Sequence, residues 1–177
     1  RRLSCGHTGT KSTHLGARLG WMIRGVPIRR MKIVVDVGER RSGVPRLLSE
    51  LGLEVGEERL VAGDYRLGGT CLVERKTVSD LHRSIASGRL WRQLEAIRRE
   101  GETGWLLIEG QGLDRGQLSR AGIRGAVLAV VDTGLPVIWT QGPSDSAQWL
   151  AALAQREARR SVGDTHWKMR RGRTRPS

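Results

Sequence analysis

Gly63-Asp64-Tyr65-Arg66-Leu67-Gly68-Gly69-Thr70-Cys71-Leu72-Val73-Glu74-Arg75-Lys76-Thr77-Val78-Ser79-Asp80 is the stretch around which the chain is organised. Cys71 to Lys76 reads as a short strand. Leu72 and Val73 are apolar β-formers, and the Gly68-Gly69 pair before them is a turn signal. Side chains alternate along a strand, so Glu74 and Lys76 share one face and Arg75 takes the other. The run Arg59-Leu60-Val61-Ala62 is expected to pair with Leu72–Lys76 as a hairpin, which brings the Asp64 carboxylate to Glu74. Two carboxylates and a lysine on one sheet face suit a Mg²⁺ ion, which takes one or two carboxylates and completes its shell with water and substrate phosphate. The lysine then orients water or neutralises charge on a scissile phosphate.

Taken alone, Glu-Arg-Lys is an ordinary solvated charge run. Here the acid and the lysine have strand spacing, and a second acid sits on a candidate partner strand. Of 31 Lys plus Arg, only Lys11, Lys32, Lys76 and Lys168 are lysine, so a site needing positive charge alone would carry arginine in this composition.

The full pattern is Gly63-Asp64, a nine-residue spacer, and Glu74-Arg75-Lys76-Thr77-Val78-Ser79-Asp80. It resembles the nuclease domain of the XPF family of structure-specific DNA endonucleases, which includes the archaeal Hef proteins. Val34-Val35-Asp36-Val37-Gly38-Glu39 resembles the family's first motif, with Gly38 where the family usually has arginine. Arg75 is a candidate for the missing cation, but its strand parity points away. Ser87 to Leu94, Leu106 to Glu109 and Pro136 to Thr140 match later family segments. The resemblance implies an α/β fold of the restriction-endonuclease type, a mixed central sheet flanked by helices. It implies Mg²⁺ or Mn²⁺ held by Asp64 and Glu74, with Asp36 as third ligand or outer acid. Lys76 would position water or stabilise charge, and Asp80 would face a helix dipole or orient Arg75. Glu39 belongs to the same catalytic set, and Arg89 and Arg92 are candidate DNA contacts. The implied substrate is branched, fork or flap DNA in repair or recombination, and the implied working unit is a homodimer or a pair with a related subunit. Family members commonly carry a tandem helix-hairpin-helix module, not found after residue 160, so DNA affinity is expected to rest more on basic tails. The rival readings are a non-catalytic DNA-binding scaffold and another nuclease of the same fold class acting on plain duplex or RNA.

The net charge of +13 is unevenly placed. Residues 1–30 carry seven basic residues and no acid, residues 156–177 carry eight basic and two acidic, and residues 31–155 hold 16 of each. Basic ends favour nucleic acid through phosphate contacts and counterion release. No apolar run approaches the ~20 residues that span a bilayer, which excludes a helical membrane protein. Cys5 and Cys71 make no disulfide framework, so an intracellular reducing compartment is the default; the location expected beside the family resemblance is the cytoplasm of a prokaryotic cell, associated with the nucleoid. Cys71 reads as a small buried hydrophobe. Gly6 to Ser12 fails the spacing of a phosphate-binding loop, and Cys5 with His7 offers only two metal ligands.

Pattern begins abruptly at Met31, so residues 1–30 read as a basic leader, disordered or not part of the native protein; 31–160 as the nuclease domain; and 161–177 as a basic disordered tail. Within the domain, Lys32 to Asp36 is a buried strand and Val44 to Gly52 a short helix closed by glycine. Leu53 to Tyr65 gives one or two strands. Thr77 or Ser79 caps a helix that pauses at Gly88 and resumes with Leu90, Leu94 and Ile97. Gly104–Glu109 and Pro136–Thr140 are strands. Ser119–Asp132 is a helix with Ile123, Val127, Val130 and Val131 on one face. Ser144 or Asp145 caps a last helix carrying Trp149, Leu150 and Leu153. Alternating strands and helices argue a mixed sheet covered by helices.

Overall fold

A computed structural model describes residues 31–161 apart from Glu102. The expectations for residues 1–30 and for the tail beyond residue 161 fall outside the described residues. The strands are β1 (Lys32–Asp36), β2 (Glu54–Glu58), β3 (Tyr65–Leu67), β4 (Cys71–Thr77), β5 (Thr103–Glu109) and β6 (Val137–Thr140). The helices are α1 (Val44–Glu50), α2 (Val78–Ala86), α3 (Arg89–Glu100), α4 (Arg120–Asp132) and α5 (Pro143–Ser161), with a 3-10 turn over Val37–Arg41. The six strands form one sheet in the order β2-β1-β3-β4-β5-β6. β1 runs parallel to β2, β4 to β5 and β5 to β6, while β3 is antiparallel to both of its neighbours.

Strand alternation sorts the core into two layers. On one face Ile33, Val35, Tyr65, Leu67, Cys71, Val73 and Leu107 pack with Val44 and Leu48 of α1 and Leu150 and Leu153 of α5. On the other, Leu72, Leu106 and Ile108 pack with Leu81 of α2, Leu90, Leu94 and Ile97 of α3, and Ile123 and Val130 of α4. At about 1.5–3 kcal/mol per buried aliphatic side chain, these layers fix the strand β4 that carries the motif. β5 reads as a continuous apolar run because helices cover both its faces.

Three expectations are corrected. Arg59–Ala62 is not a strand. The hairpin partner of β4 is Tyr65–Leu67, in register Tyr65↔Val73 and Leu67↔Cys71 across Gly68-Gly69-Thr70. Tyr65 and Leu67 both point into the core, an alternation that Val61, almost fully exposed, could not supply. Val131 does not share the buried face of α4, which is Ile123, Ala126 and Val130; it stands half-exposed. The last helix begins at Pro143, before either proposed cap. Proline suits a first helical position, where its missing N–H is no loss, and the Asp145 carboxylate instead reaches back to the N–H of Gln141 at 2.8 Å. Thr77 rather than Ser79 caps α2, its hydroxyl accepting from the Asp80 N–H at 3.2 Å. The pause at Gly88 is a left-handed residue, φ +69°, between α2 and α3.

Candidate active site

The Gly-Asp pair is placed by backbone bonds. Asp64 donates its N–H to the Val73 carbonyl of β4 and accepts from the Asp36 N–H of β1, both at 2.8 Å. Gly63 before it has φ +73°, and a Cβ there would lie 3.2 Å from the Val73 carbonyl oxygen. Only glycine makes that turn without strain. The Asp64 carboxylate then accepts the Arg75 N–H at 2.7 Å, which brings it to β4 even though the expected strand is absent.

Beyond Val73, the side chains of β4 part company as alternation requires. Glu74 and Lys76 face the α2/α3 layer. Both are buried, and the lysine ammonium is bonded to the Glu74 carboxylate and lies 3.6 Å from Asp80. Asp80, in the first turn of α2, also accepts from Arg89 at 2.6 Å and Arg83 at 3.4 Å. It therefore bridges Lys76 and Arg89 and does not orient Arg75. Burial alone would raise the Asp80 pKa, but the Arg89 hydrogen bond and the Lys76 charge outweigh it and hold the carboxyl below its usual range.

Arg75 faces the α1/α5 layer. It makes a bidentate pair with Glu109, Nε to Oε2 at 2.9 Å and Nη2 to Oε1 at 2.5 Å. The third guanidinium nitrogen, Nη1, donates to Glu39 at 3.1 Å. Glu39 also accepts the Tyr65 hydroxyl at 2.7 Å, and Ser146 of α5 donates to Glu109 at 2.6 Å. Burial lowers the Arg75 pKa, the Glu109 bonds and the two carboxylates raise it, and the net shift is upward, so the guanidinium stays charged. The parity expected for Arg75 holds, and its partner on that side is the Glu39 of the first motif. Glu39 is thus removed from the Glu74 face, although its charge still reaches Asp64.

Asp36 lies in the same cleft as Asp64 and Glu74, but both its oxygens are engaged by backbone, Gly38 N–H at 2.8 Å and Leu60 N–H at 2.9 Å. A Cβ at Gly38 would lie 3.0 Å from the Asp36 Oδ1, so this chain's departure from the family pattern leaves the Asp36 turn uncrowded. The cleft, about 330 Å³, is walled opposite by Arg89, Arg92 and Gln93 of α3. Arg89 is tied to Asp80, while Arg92 is exposed.

Among the described residues, no three His, Cys, Asp or Glu side chains gather as a ready metal cage. The donor set nevertheless fits a divalent ion that keeps waters. Burial, then the charge of Glu74, then that of Glu39, outweigh Lys76 and the Arg75 N–H and push the Asp64 carboxyl up to about 8. Burial likewise raises Glu74, with Glu39 and Asp80 adding to it against the lysine. A buried acid, Glu74, beside a partly buried one, Asp64, with a single ammonium nearby, is a place where a hard cation relieves an electrostatic cost. Cys71 is buried and its thiol is pushed up by that burial, as for an inert core residue.

Glu109, Tyr65 and Gln93 were missed as site residues. The signal for Glu109 was an acid ending an apolar strand; the parallel register Thr77↔Glu109 places it at the site end of β4.

The ERCC4 domain matches residues 35–153. The chain is 33% identical over 133 residues to the putative ATP-dependent RNA helicase MJ1505 of Methanocaldococcus jannaschii, covering 75% of this chain and 16% of that protein. It is 30% identical over 129 residues to the 3′-flap repair endonuclease Xpf of Saccharolobus solfataricus, covering 71% and 55%. The XPF from Aeropyrum pernix, solved in complex with DNA, superposes with a TM-score of 0.67 at 32% identity over 74% of this chain and 66% of that one. The chain thus spans only part of each relative. The mixed sheet flanked by helices is the restriction-endonuclease-like fold of the XPF nuclease domain. With its Gly-Asp turn, buried Glu-Arg-Lys strand and matching architecture, the chain belongs to the ERCC4-domain family as an XPF-type nuclease domain.

Proposed function

We propose that residues 31–160 form a divalent-metal-dependent endonuclease domain that hydrolyses DNA phosphodiester bonds at branched or junction sites. The observation that carries this reading is the Asp64–Glu74 acid pair, with Asp64 pushed up to about 8, in one cleft that Arg89 and Arg92 also line. Asp64 and Glu74 would hold Mg²⁺ or Mn²⁺, with Asp36, fixed by two backbone N–H groups, as an outer acid beside them. Once bound, the ion supplies Lewis acidity to the phosphate and lowers the pKa of water. The remaining chemistry belongs to the chain. Lys76, held by Glu74 and Asp80, stabilises charge developing on the phosphate. Arg75 keeps the Asp64 carboxylate aimed through its own N–H. Arg89 and Arg92 on the far wall contact backbone phosphate.

The substrate preference draws on the relative named a 3′-flap repair endonuclease. A dimer of nuclease domains draws on the family resemblance and on the exposed indoles of Trp139 on β6 and Trp149 on α5, since exposed apolar surface favours a partner. Leu150 and Leu153, by contrast, complete the core. Basic residues outside 31–155 add salt-sensitive DNA affinity. Among the described residues no helix is long and apolar enough to cross a membrane, and a prokaryotic cytoplasm suits the buried free thiol of Cys71.

The test is cleavage of labelled fork, flap, linear duplex and RNA substrates with Mg²⁺, Mn²⁺ or chelator. Fork or flap cleavage that requires metal and is lost in Asp64→Ala and Glu74→Ala is expected. DNA binding without cleavage would assign a non-catalytic scaffold, and equal cleavage of linear duplex would remove the junction preference. Sedimentation of wild type and Trp149→Glu tests the dimer; a monomeric wild type that cleaves at full rate refutes it.

A further inference from the structure

The described residues form a second cleft, of about 420 Å³, whose charge is opposite to that of the first. Asp36, Asp64 and Glu74 line the catalytic cleft together with Arg89 and Arg92. The second is lined by Arg98 of α3 and by Arg156 and Arg160 of α5, and by no acid among the described residues. It lies at the start of β5, where Thr103, Gly104 and Trp105 form part of its wall. Sheet register puts Glu74 opposite Leu106, so this cleft begins three residues, about 10 Å, further down the strand axis. From Arg89 to Arg98 is nine residues, about two and a half turns, which puts these arginines on opposite sides of α3.

The three guanidiniums of the second cleft are held but not consumed. Arg156 stands over the Trp105 indole, 5.3 Å from the ring centre, which fixes the cation without neutralising it. Arg98 and Arg160 are half-exposed, and their partners, Glu95 at 3.8 Å and Glu157 at 3.3 Å, lie three residues back on the same helix. Exposed pairs of that kind contribute little, and a phosphate can take their place. Guanidiniums fork onto phosphate oxygens with two parallel hydrogen bonds. A volume of this size is that of a small-ligand pocket. It is too narrow for a duplex, whose major groove alone is about 12 Å wide, and it suits a flexible single strand. Helices α3 and α4 also end here, at Gly101 and at Thr133-Gly134, and helix C-termini attract cations. A role confined to those ends would show as lost stability and not as lost DNA affinity.

Resting on the branched-DNA reading proposed above, we infer that this basic cleft binds the phosphodiester backbone of the substrate's single-stranded arm, while the acidic cleft holds the strand to be cut. Arg98 and Arg156 grip backbone phosphates from two different helices, and Trp105 keeps Arg156 aimed.

The experiment measures binding of labelled oligo(dT), and of a linear duplex of equal length, to the full chain in chelator over a salt series. Wild type is compared with Arg98→Gln, Arg156→Gln, the double variant and Arg46→Gln. Arg46, exposed on α1 and lining neither cleft, is the control for lost charge. In the double variant the oligo(dT) Kd is expected to rise roughly tenfold at low salt, as for a lost charge-assisted contact. The salt slope should fall by about 0.7 for each phosphate released. Duplex affinity and melting temperature stay as in wild type, and Arg46→Gln leaves the slope unchanged. With metal, the KM for a fork rises in the double variant at unchanged kcat, as loss of uniform binding should. Unchanged oligo(dT) affinity overturns the inference, whatever the melting temperature does. Equal losses on duplex and single strand, or an equal loss in Arg46→Gln, also overturn it, since either is an effect of general charge. A glutamate-rich peptide that loses affinity in the double variant while oligo(dT) does not would make this an acidic-peptide site instead. The binding measurements need no cleavage. An inactive wild type that shows the oligo(dT) losses removes the hydrolytic reading and keeps the basic cleft; an active one without those losses keeps hydrolysis and removes the cleft.

Discussion

The two faces of β4 carry opposite solutions to the same problem. Both bury charge. On the α1/α5 side, Arg75 is matched by a bidentate Glu109 and by Glu39, and those carboxylates are in turn matched by Ser146 and Tyr65. On the α2/α3 side, the Lys76 ammonium is bonded to Glu74 and shared with Asp80, Asp64 is pushed up to about 8, and the Gln93 Oε1 has no donor among the described residues. Residues one position apart thus sit in a satisfied network and in an unsatisfied cleft. A buried polar network rigidifies when complete and costs free energy when incomplete. The first kind of environment builds a scaffold, and the second leaves a vacancy in the interactions that a ligand can fill.

That contrast is open to attack by mutation. The largest effect is expected from Glu109→Ala, which strands a buried guanidinium. Breaking such a pair costs about 3–5 kcal/mol, so thermal unfolding should occur on the order of 10 °C lower. A shift under 2 °C would show that Glu39 alone satisfies Arg75 and that the scaffold face is less interdependent than its bonds suggest.

The cleft face should reveal itself through pH. Asp64 in the folded chain is raised to about 8 from an ordinary value of 3.8, and Glu74 is raised in the same direction. The folded state therefore holds protons that the unfolded state releases, a contribution fully present below about pH 4 and lost as pH rises to about 8. Metal-free protein should melt at progressively lower temperature across that window, Asp64→Asn should flatten the slope, and added Mg²⁺ should stabilise most at its upper end, where both carboxylates are ionised. A melting temperature that rises with pH over the same window would contradict the burial argument.

Tyr65→Phe removes one hydroxyl from Glu39. A loss of about 1.5–3 kcal/mol is expected for a hydrogen bond to a charged group, read as a lower midpoint in urea with unchanged slope. Smallest is Arg40→Ala. Its pair with Glu57 is short but exposed on both sides, and exposed ion pairs are worth about 0–1 kcal/mol. Destabilisation equal to that of Glu109→Ala would mean that burial is not what separates the two pairs.

Much of this was legible because local rules and the motif coincided. Strand periodicity put Arg75 opposite Glu74 and Lys76, Thr77 followed by Asp80 announced a helix start, and Leu90, Leu94 and Ile97 gave the core stripe of α3. The hairpin was misread because Arg59–Ala62 and Tyr65–Leu67 are both short mixed runs, and the choice between them depends on which side chains meet α1 and α5. Of the two roles expected for Asp80, its place in the first turn of α2 follows from local sequence, whereas its reach to Lys76 and Arg89 depends on how α2 leaves β4 and how α3 folds back at Gly88.

By itself the sequence determined the alternation of β4, the glycine turn at Gly68-Gly69 before it, and the helix starts at Thr77 and after Gly88, since these follow from residue spacing and backbone sterics along a few neighbouring positions. Only the tertiary structure decided that Glu109 and Glu39 complete the Arg75 side, that Leu60 joins Gly38 in holding Asp36, and that Asp64 arrives beside β4 through a turn at Gly63. Those outcomes join residues far apart in the chain: Arg75 with Glu109 and Glu39 at 34 and 36 positions, and Asp36 with Leu60 at 24. Pairings of that range are set by sheet register and layer packing, which no local pattern encodes.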